Sequence, residues 1–383
     1  MNLDPDLAQA LRRPFESGEL RMLDIGLKGS PIAVFAGAMD YGQGTEFVSG
    51  AGLERDAAFF RCLFEYAERK SALARASDLM NEATRADLPH LKAQSIFLDT
   101  EPTTDDGLAG WIMAQSMGAP GREVAVPAEC VLLATARANV SDSNGLAAHA
   151  SSAGAELAGL IELVERDAVA IWWYNRLRRP FLPWPETAGR LDALGLWLKE
   201  RQRLTYLLDL TADIPLPVVA AISMTPEGKT IAYGFGAAPS PALAVEKAVL
   251  EMARAELSSH FHTALAARDR EGSRFGAWSA QSRIEDLPHL VPDPDAEPAQ
   301  HWPEKRLDRQ GLLAALASVG LDAYAVDLTR ADIGVPVARV IVPGLRPWWP
   351  RFAKGRLYDV PLRMGWRRRR LARRHMNDVP ILI

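Results

Sequence analysis

Apolar residues recur at helical spacing in three long stretches of this chain. Each stretch follows a glycine-containing segment that reads as a turn. Residues 53–73 follow Gly50-Ala51-Gly52, residues 151–173 follow Ser143-Asn144-Gly145, and residues 245–257 follow Gly234-Phe235-Gly236. Apolar positions three and four apart, with polar positions between them, predict helices with one buried face. Shorter apolar runs predict strands at residues 23–27, 31–35 and 124–138, with a short helix before the first of them. A hairpin is predicted from residues 218–223 and 230–235 around Thr225-Pro226-Glu227-Gly228. Residues 118–121 read as loop, and residues 178–185 must be extended, because proline disfavours helix at and before its own position. Residues 191–203 and 311–319 read as further helices, the second stopped by Gly320. From Arg339 the chain reads as strand, then a Pro/Trp loop, then a basic stretch.

The first two long helices close on the same word. Glu65-Tyr66-Ala67-Glu68-Arg69 and Glu162-Leu163-Val164-Glu165-Arg166 both read E-x-x-E-R, and the third helix carries Glu251-Met252-Ala253-Arg254. A second duplication pairs Asp209-Leu210-Thr211 with Asp327-Leu328-Thr329, each followed by a short apolar run that reads as a strand. The period is too long and irregular for a solenoid. These patterns predict a mixed α/β fold with internally duplicated strand–helix units, organised as one unit over residues 1–383. Its weakest seam is expected in the Pro/Asp-rich stretch near 288–304, and its end is a basic tail over 365–383.

Composition narrows the function classes. Hydrophobic residues make up 48% and charged residues 24%, which is ordinary globular composition. A net charge of −4 argues against a nucleic-acid field over the whole protein. Two cysteines, Cys62 and Cys130, cannot build a disulfide framework or a thiolate zinc site. The N-terminus lacks a signal-peptide core and no apolar run is long enough to span a membrane, so the default expectation is cytoplasmic.

Chemistry enters with the carboxylates. A spacing of three puts Glu65 above Glu68, and Glu162 above Glu165, on one helix face. Two such helices facing each other would gather four acids, which need cations to coexist. Oxygen ligands with spare coordination sites suit Mg²⁺ carrying substrate phosphates. A solvated, salt-bridged helix surface is the competing reading for a single copy of the word. Glu251 and Arg254 read equally well as an i,i+3 surface pair or as part of the site. A Walker-type phosphate loop and a kinase signature set are both missing.

The segment from Ser143-Asn144-Gly145 through Glu162 and Glu165 to Arg166 resembles the central signature of the YcaO family. Residues 52–69 resemble that family's first helix, and residues 242–256 its third. The resemblance implies an ATP- and Mg²⁺-dependent enzyme that activates peptide backbone amides. A nucleophile adds to the amide carbon, the amide oxygen takes the γ-phosphoryl group of ATP, and phosphate leaves with that oxygen. An internal Cys, Ser or Thr gives a thiazoline or oxazoline, and external sulfide gives a thioamide. Such steps mature ribosomally made peptides, bacteriocins among them. Carried over residue by residue, the resemblance implies that Glu65, Glu68, Glu162 and Glu165 hold Mg²⁺ and nucleotide. It implies that Arg69 and Arg166 pair with these acids or reach phosphate oxygens, that Ser143 and Asn144 line the nucleotide pocket, and that Glu251 and Arg254 contribute from the third helix.

The chain departs from the family pattern at Ala51, where Lys is common, at His149, where Gly is common, and at Arg254, where Gln is frequent. It ends Val379-Pro380-Ile381-Leu382-Ile383, without the repeated prolines of many azoline-forming members. Three terminal aliphatics left in water forgo burial worth about 1.5–3 kcal/mol each, so the tail is expected to dock in a groove. The implied partners are a precursor peptide or protein and a separate protein, either leader-binding or of the TfuA type. A homodimer stays open. So does a different class of function: a non-catalytic scaffold that binds peptide or partner without turning over ATP.

Overall fold

The computed structural model describes residues 3–382 except 27–28, 41–44, 99–109, 134–141, 186–189, 267–273 and 297–306. Helix α1 (Pro5–Glu16) is capped by Asp4, whose carboxylate accepts from the Asp6 and Leu7 amides. It leads into β1 (Arg21–Asp24), β2 (Ala33–Asp40) and β3 (Thr45–Gly52), and helix α2 (Arg55–Ser71) packs on that sheet. Two short helices, α3 (Glu82–Ala86) and α4 (Ala93–Phe97), precede β4 (Trp111–Ser116), β5 (Glu123–Pro127) and β6 (Leu146–Ala148). Helix α5 (Ser152–Asn175) starts at an N-cap, Ser151, and stops at Arg176 in the left-handed region. Then come β7 (Phe181–Leu182), α6 (Arg190–Glu200), β8 (Leu204–Asp209), β9 (Val218–Met224), β10 (Ala232–Ala237) and α7 (Pro241–Ala266). The chain closes with α8 (Arg274–Gln281), α9 (Arg309–Ser318), β11 (Tyr324–Asp327), β12 (Val337–Ile341) and α10 (Arg356–Arg363).

The strands form three antiparallel sheets, ordered β1-β2-β3, β10-β9-β8-β7 and β5-β4-β11-β12-β6. Helix α2 packs on the first at β3, α7 on the second at β10, and α5 on the third at β12 and β6. The expected mixed α/β fold of repeated strand–helix units is the observed one. The main core lies where α5 and α7 meet β9 and β10. Trp172, Trp173 and Tyr174 are buried at the end of α5.

Two of the three glycine segments are not turns. Gly50 and Gly52 lie inside β3, and Gly234 and Gly236 lie inside β10. Their role is close approach of backbones. A Cβ on Gly50 would sit 2.2 Å from the Ala58 carbonyl oxygen and 2.4 Å from the Cys62 nitrogen. A Cβ on Gly234 would sit 2.1 Å from the Met252 nitrogen. Only Asn144-Gly145 forms the expected turn, just ahead of β6.

The Asp-Leu-Thr duplication recurs as one hydrogen-bonded connection. The Thr211 amide donates to Asp209 Oδ1 at 2.9 Å, and the Thr329 amide to Asp327 Oδ1 at 2.8 Å. Each threonine hydroxyl then accepts from the next strand's first amide, Val218 or Val337, at 3.2 Å.

Other boundaries moved. The apolar run from Val124 ends as a strand at Pro127 and turns through a 3-10 segment, Ala128–Cys130, while residues 134–138 lie outside the described ones. The strand expected over 23–27 is Arg21–Asp24, and the next begins at Ala33 and runs to Asp40. The helix expected to reach residue 203 ends at Glu200, where Arg201 turns inward to pair with Glu256. The stretch that opens at Pro288 is tied to the core: the His289 carbonyl accepts from Trp172 Nε1 at 3.1 Å, and the Leu290 carbonyl from the Tyr206 hydroxyl at 2.9 Å.

The C-terminal tail is docked. Trp173 Nε1 donates to the Val379 carbonyl at 2.8 Å, the Tyr233 hydroxyl donates to the Leu382 carbonyl at 2.7 Å, and Ile381 is buried. Arg367 caps the Asn175 carbonyl at the end of α5, and Arg370 pairs with Asp359.

The β3–α2 approach leaves no space for a methyl group. Gly50→Ala should therefore cost about 1–3 kcal/mol or more, as overpacking against backbone does. Urea denaturation measures it, and an unchanged midpoint would show that helix and strand do not touch there.

Candidate active site

Each of the three strand–helix units sends one glutamate back to its own strand or turn. Glu65 Oε2 accepts from the Ser49 amide at 2.8 Å, Glu162 Oε1 from the Gly145 amide at 3.2 Å, and Glu251 Oε2 from the Phe235 amide at 2.6 Å. The three acids occupy equivalent positions. Close approach of helix and strand brings a side chain about three turns along the helix level with a strand amide. Glu251 thereby takes the same place in its unit as Glu65 and Glu162, and its i,i+3 pair with Arg254 forms beside that contact.

The arginines answer these acids. Arg166 pairs with Glu162 at 2.8 Å, and Arg254 with Glu251 at 3.3 Å. Arg69 lies 3.7 Å from Glu65, 3.7 Å from Glu46 and 4.0 Å from Glu68. Two bonds lock the units together. Arg254 Nη1 donates to Ser49 Oγ at 3.0 Å, joining α7 to β3, and Glu165 Oε2 accepts from the Ala237 amide at 2.6 Å, joining α5 to β10. Lys247 Nζ donates to the Ala237 carbonyl at 3.1 Å. The Arg166 guanidinium lies 4.0 Å from the centre of the Trp348 ring. Asn144 is buried, with its amide donating to Asp142 Oδ1 at 3.0 Å, and Ser143 is half-buried beside it.

The acids feel one another across the helices. Burial pushes Glu68 well above the usual carboxylate range, against the pull of Arg69, and Glu162 on the facing helix adds to the rise. Burial pushes Glu165 up to about 8, with Glu251 the largest repelling charge. Burial also raises Glu251, despite Arg254, and raises Glu46, despite Arg69. Glu162 is a common neighbour of Glu68, Glu165 and Glu251.

Among the described residues no three acid, histidine or cysteine side chains converge tightly enough to chelate an ion. The carboxylates are splayed onto amides and guanidiniums. A divalent ion here would take one or two protein oxygens and complete its shell with water and phosphate, the usual habit of Mg²⁺. The residues fit a Mg²⁺–nucleotide. The donors are oxygens, and Arg69 Nε and Arg166 Nε are buried without a hydrogen-bond partner. Four acids, Glu46, Glu68, Glu165 and Glu251, are held toward their neutral forms, which a cation reverses.

Sequence reading missed four residues here: Glu46, Ser49, Lys247 and Trp348. Lys247 had a signal, standing one helical turn before Glu251. Glu46 and Ser49 carry none, because the sequence pattern marks only residues 50–52 of β3, and marks them as a turn.

The sequence profile described as YcaO cyclodehydratase, ATP- and Mg²⁺-binding, matches residues 49–346. The chain belongs to the YcaO family. A solved structure described as a heterocyclase in complex with substrate and cofactor is similar to it, with a TM-score of 0.84 and 26% identity over 98% of this chain and 57% of that one. The chain thus spans little more than half of that protein's length. The YcaO protein of Methanopyrus kandleri, solved with AMPPCP and Mg²⁺, has a TM-score of 0.65 and 25% identity over 88% of this chain and 91% of that one. An uncharacterised protein of Methanothermobacter thermautotrophicus is 29% identical over 320 residues, 78% of this chain and 81% of its own length. Among the described residues no helix is long and apolar enough to cross a membrane.

The raised acids fix a pH dependence. Glu165, at 4.5 in the unfolded chain and about 8 when folded, keeps a proton that the unfolded chain has lost. Folding stability should therefore fall as pH rises through that window. Glu165→Gln should remove part of the slope. Urea midpoints at pH 5 and pH 8 for both proteins test this, and equal slopes would show that Glu165 is not held neutral.

Proposed function

We propose that this chain is an ATP- and Mg²⁺-dependent enzyme that activates backbone amides of a ribosomally made peptide, forming azolines. The observation that carries the reading is the meeting of Glu65, Glu68, Glu162, Glu165 and Glu251 with Arg69, Arg166 and Arg254 where three strand–helix units join. A scaffold has no use for buried acids held at raised pKa, since each costs stability near neutral pH.

When bound, the Mg²⁺–nucleotide supplies the phosphoryl group that turns an amide oxygen into a leaving group. The chain's own groups bind and orient. Glu65, Glu68, Glu162 and Glu165 would hold the divalent ion, with Glu251 of α7 beside them. Arg69 and Arg166 present guanidinium N–H groups for phosphate oxygens. Trp348 covers one face of Arg166 and holds its plane in place. Ser143 and Asn144 would line the nucleotide, and Arg254 keeps α7 against β3 through Ser49. Because Glu165 titrates near 8, binding a cation beside it releases a proton near neutral pH.

The nucleophile sets the product. An internal Cys, Ser or Thr closes an azoline, and external sulfide would leave a thioamide. Substrate capture is shared with a separate leader-binding or TfuA-type protein. The similarity to a solved heterocyclase favours the azoline.

Calorimetry should show ATP binding that depends on Mg²⁺, and equal weak heats with and without the ion would refute the nucleotide site. With a precursor peptide and its partner protein, mass spectrometry should record the loss of one water per azoline. A gain of sulfur for oxygen would reassign the product. Glu65→Ala, Glu68→Ala, Glu162→Ala and Glu165→Ala should each reduce turnover more than tenfold, about 1.4 kcal/mol in the barrier, without unfolding the chain. A variant retaining full rate would place its residue outside the site.

A further inference from the structure

Charge is unevenly spread along this chain. Residues 351–375 carry ten Lys and Arg residues against one acid, Asp359, while the rest of the chain carries 34 against 47 acids. Part of this positive charge is used inside the fold. Arg356 pairs with Asp167 and Asp213, Arg363 with Asp213 at 2.6 Å, and Arg370 with Asp359 at 2.6 Å. Arg367 caps α5 at the Asn175 carbonyl. Arg368, Arg369, Arg373 and Arg374 are exposed, and none of them has an acid partner among the described residues. The backbone that carries them is fixed at both ends. The Arg367 amide donates to the Pro361 carbonyl at 3.0 Å, Met376 is buried, and the Asn377 amide donates to the Tyr174 carbonyl at 2.8 Å.

A run of aromatic contacts joins this patch to the active site. Trp348 covers Arg166, and its carbonyl accepts from the Tyr174 hydroxyl. The Tyr174 and Phe352 rings pack edge to face with centres 5.4 Å apart, and the Arg373 guanidinium lies 3.5 Å from the centre of the Phe352 ring. Trp349, which follows Trp348, is 47% exposed. Arg166 and Asn175 are nine residues apart on α5, about 14 Å of helix. An extended peptide covers that span with about four residues.

We propose that Arg368, Arg369, Arg373 and Arg374 form a docking surface for an acidic segment of the peptide substrate. The proposal rests on the peptide-modifying reading above and adds the character of that peptide: carboxylates a few residues away from the amide being activated. Guanidinium groups suit carboxylates, which accept two parallel N–H bonds, and clusters of arginine are a recurring way of reading acidic motifs. Trp349 gives the residues between the two places an apolar surface to lie on. A nucleic acid meets a poorer match. Its charge continues at every phosphate, and beyond the patch the chain carries an excess of acids that repels it. A short acidic segment stays within the patch.

The first measurement is fluorescence anisotropy of a labelled oligoglutamate peptide with the full chain, at physiological ionic strength and without nucleotide. Oligoglutamate is expected to bind and oligoglutamine of equal length is not. The paired variants Arg368→Gln/Arg369→Gln and Arg373→Gln/Arg374→Gln should each weaken binding about tenfold. Affinity retained in both variants would overturn the proposal. So would tighter binding of oligouridine, which would assign the patch to nucleic acid. The second measurement is turnover of two precursor peptides that differ only in carrying glutamates or glutamines beside the modified residue. The paired variants are expected to raise KM about tenfold for the glutamate precursor alone, with kcat unchanged. A fall in kcat for both precursors would mean that the arginines act through α5 and would overturn the docking role. Oligoglutamate binding as expected, with neither precursor turned over, would refute the amide-activating reading while supporting the acidic-peptide surface.

Discussion

Contact between helix backbone and strand backbone is the constraint on which the site depends. Helices α2 and α7 lie so close to β3 and β10 that Gly50 and Gly234 cannot carry a side chain. That closeness lets Glu65 and Glu251 reach strand amides, and Glu162 does the same from α5 at Gly145. The carboxylates are thus fixed by main chain, which has no rotamers to change. Three copies of one local arrangement, each useless alone, produce a ring of oxygens where they meet.

The ring is paid for in electrostatics. Burial and mutual repulsion hold Glu68, Glu165 and Glu251 toward their neutral forms, and the arginines compensate only in part. Folding stability therefore falls as pH rises through the range in which the unfolded acids lose their protons.

The C-terminal third secures α5 from below. Arg356 of α10 bonds Asp167 of α5 at 2.6 Å and Asp213 at 2.7 Å, all largely buried, and removing one member of such a group typically costs about 3–5 kcal/mol. Trp348 stacks on Arg166, and its carbonyl accepts from the Tyr174 hydroxyl. The docked tail then covers Trp173 and Tyr233. Residues far apart in the chain hold one helix, and that helix carries Glu162, Glu165 and Arg166.

The sequence by itself determined what depends on short separations. The i,i+3 spacing put Glu65 with Glu68 and Glu162 with Glu165, the apolar periods located α2, α5 and α7, and the repeated Asp-Leu-Thr words formed the same hydrogen-bonded connection twice. The aliphatic tail announced its own docking. Tertiary structure decided what depends on distance in space. Gly50 and Gly234 read as turns, because a glycine needed for close approach looks the same in sequence as one needed for a bend. Glu46, Ser49, Lys247 and Trp348 entered the site through contacts that no local period encodes.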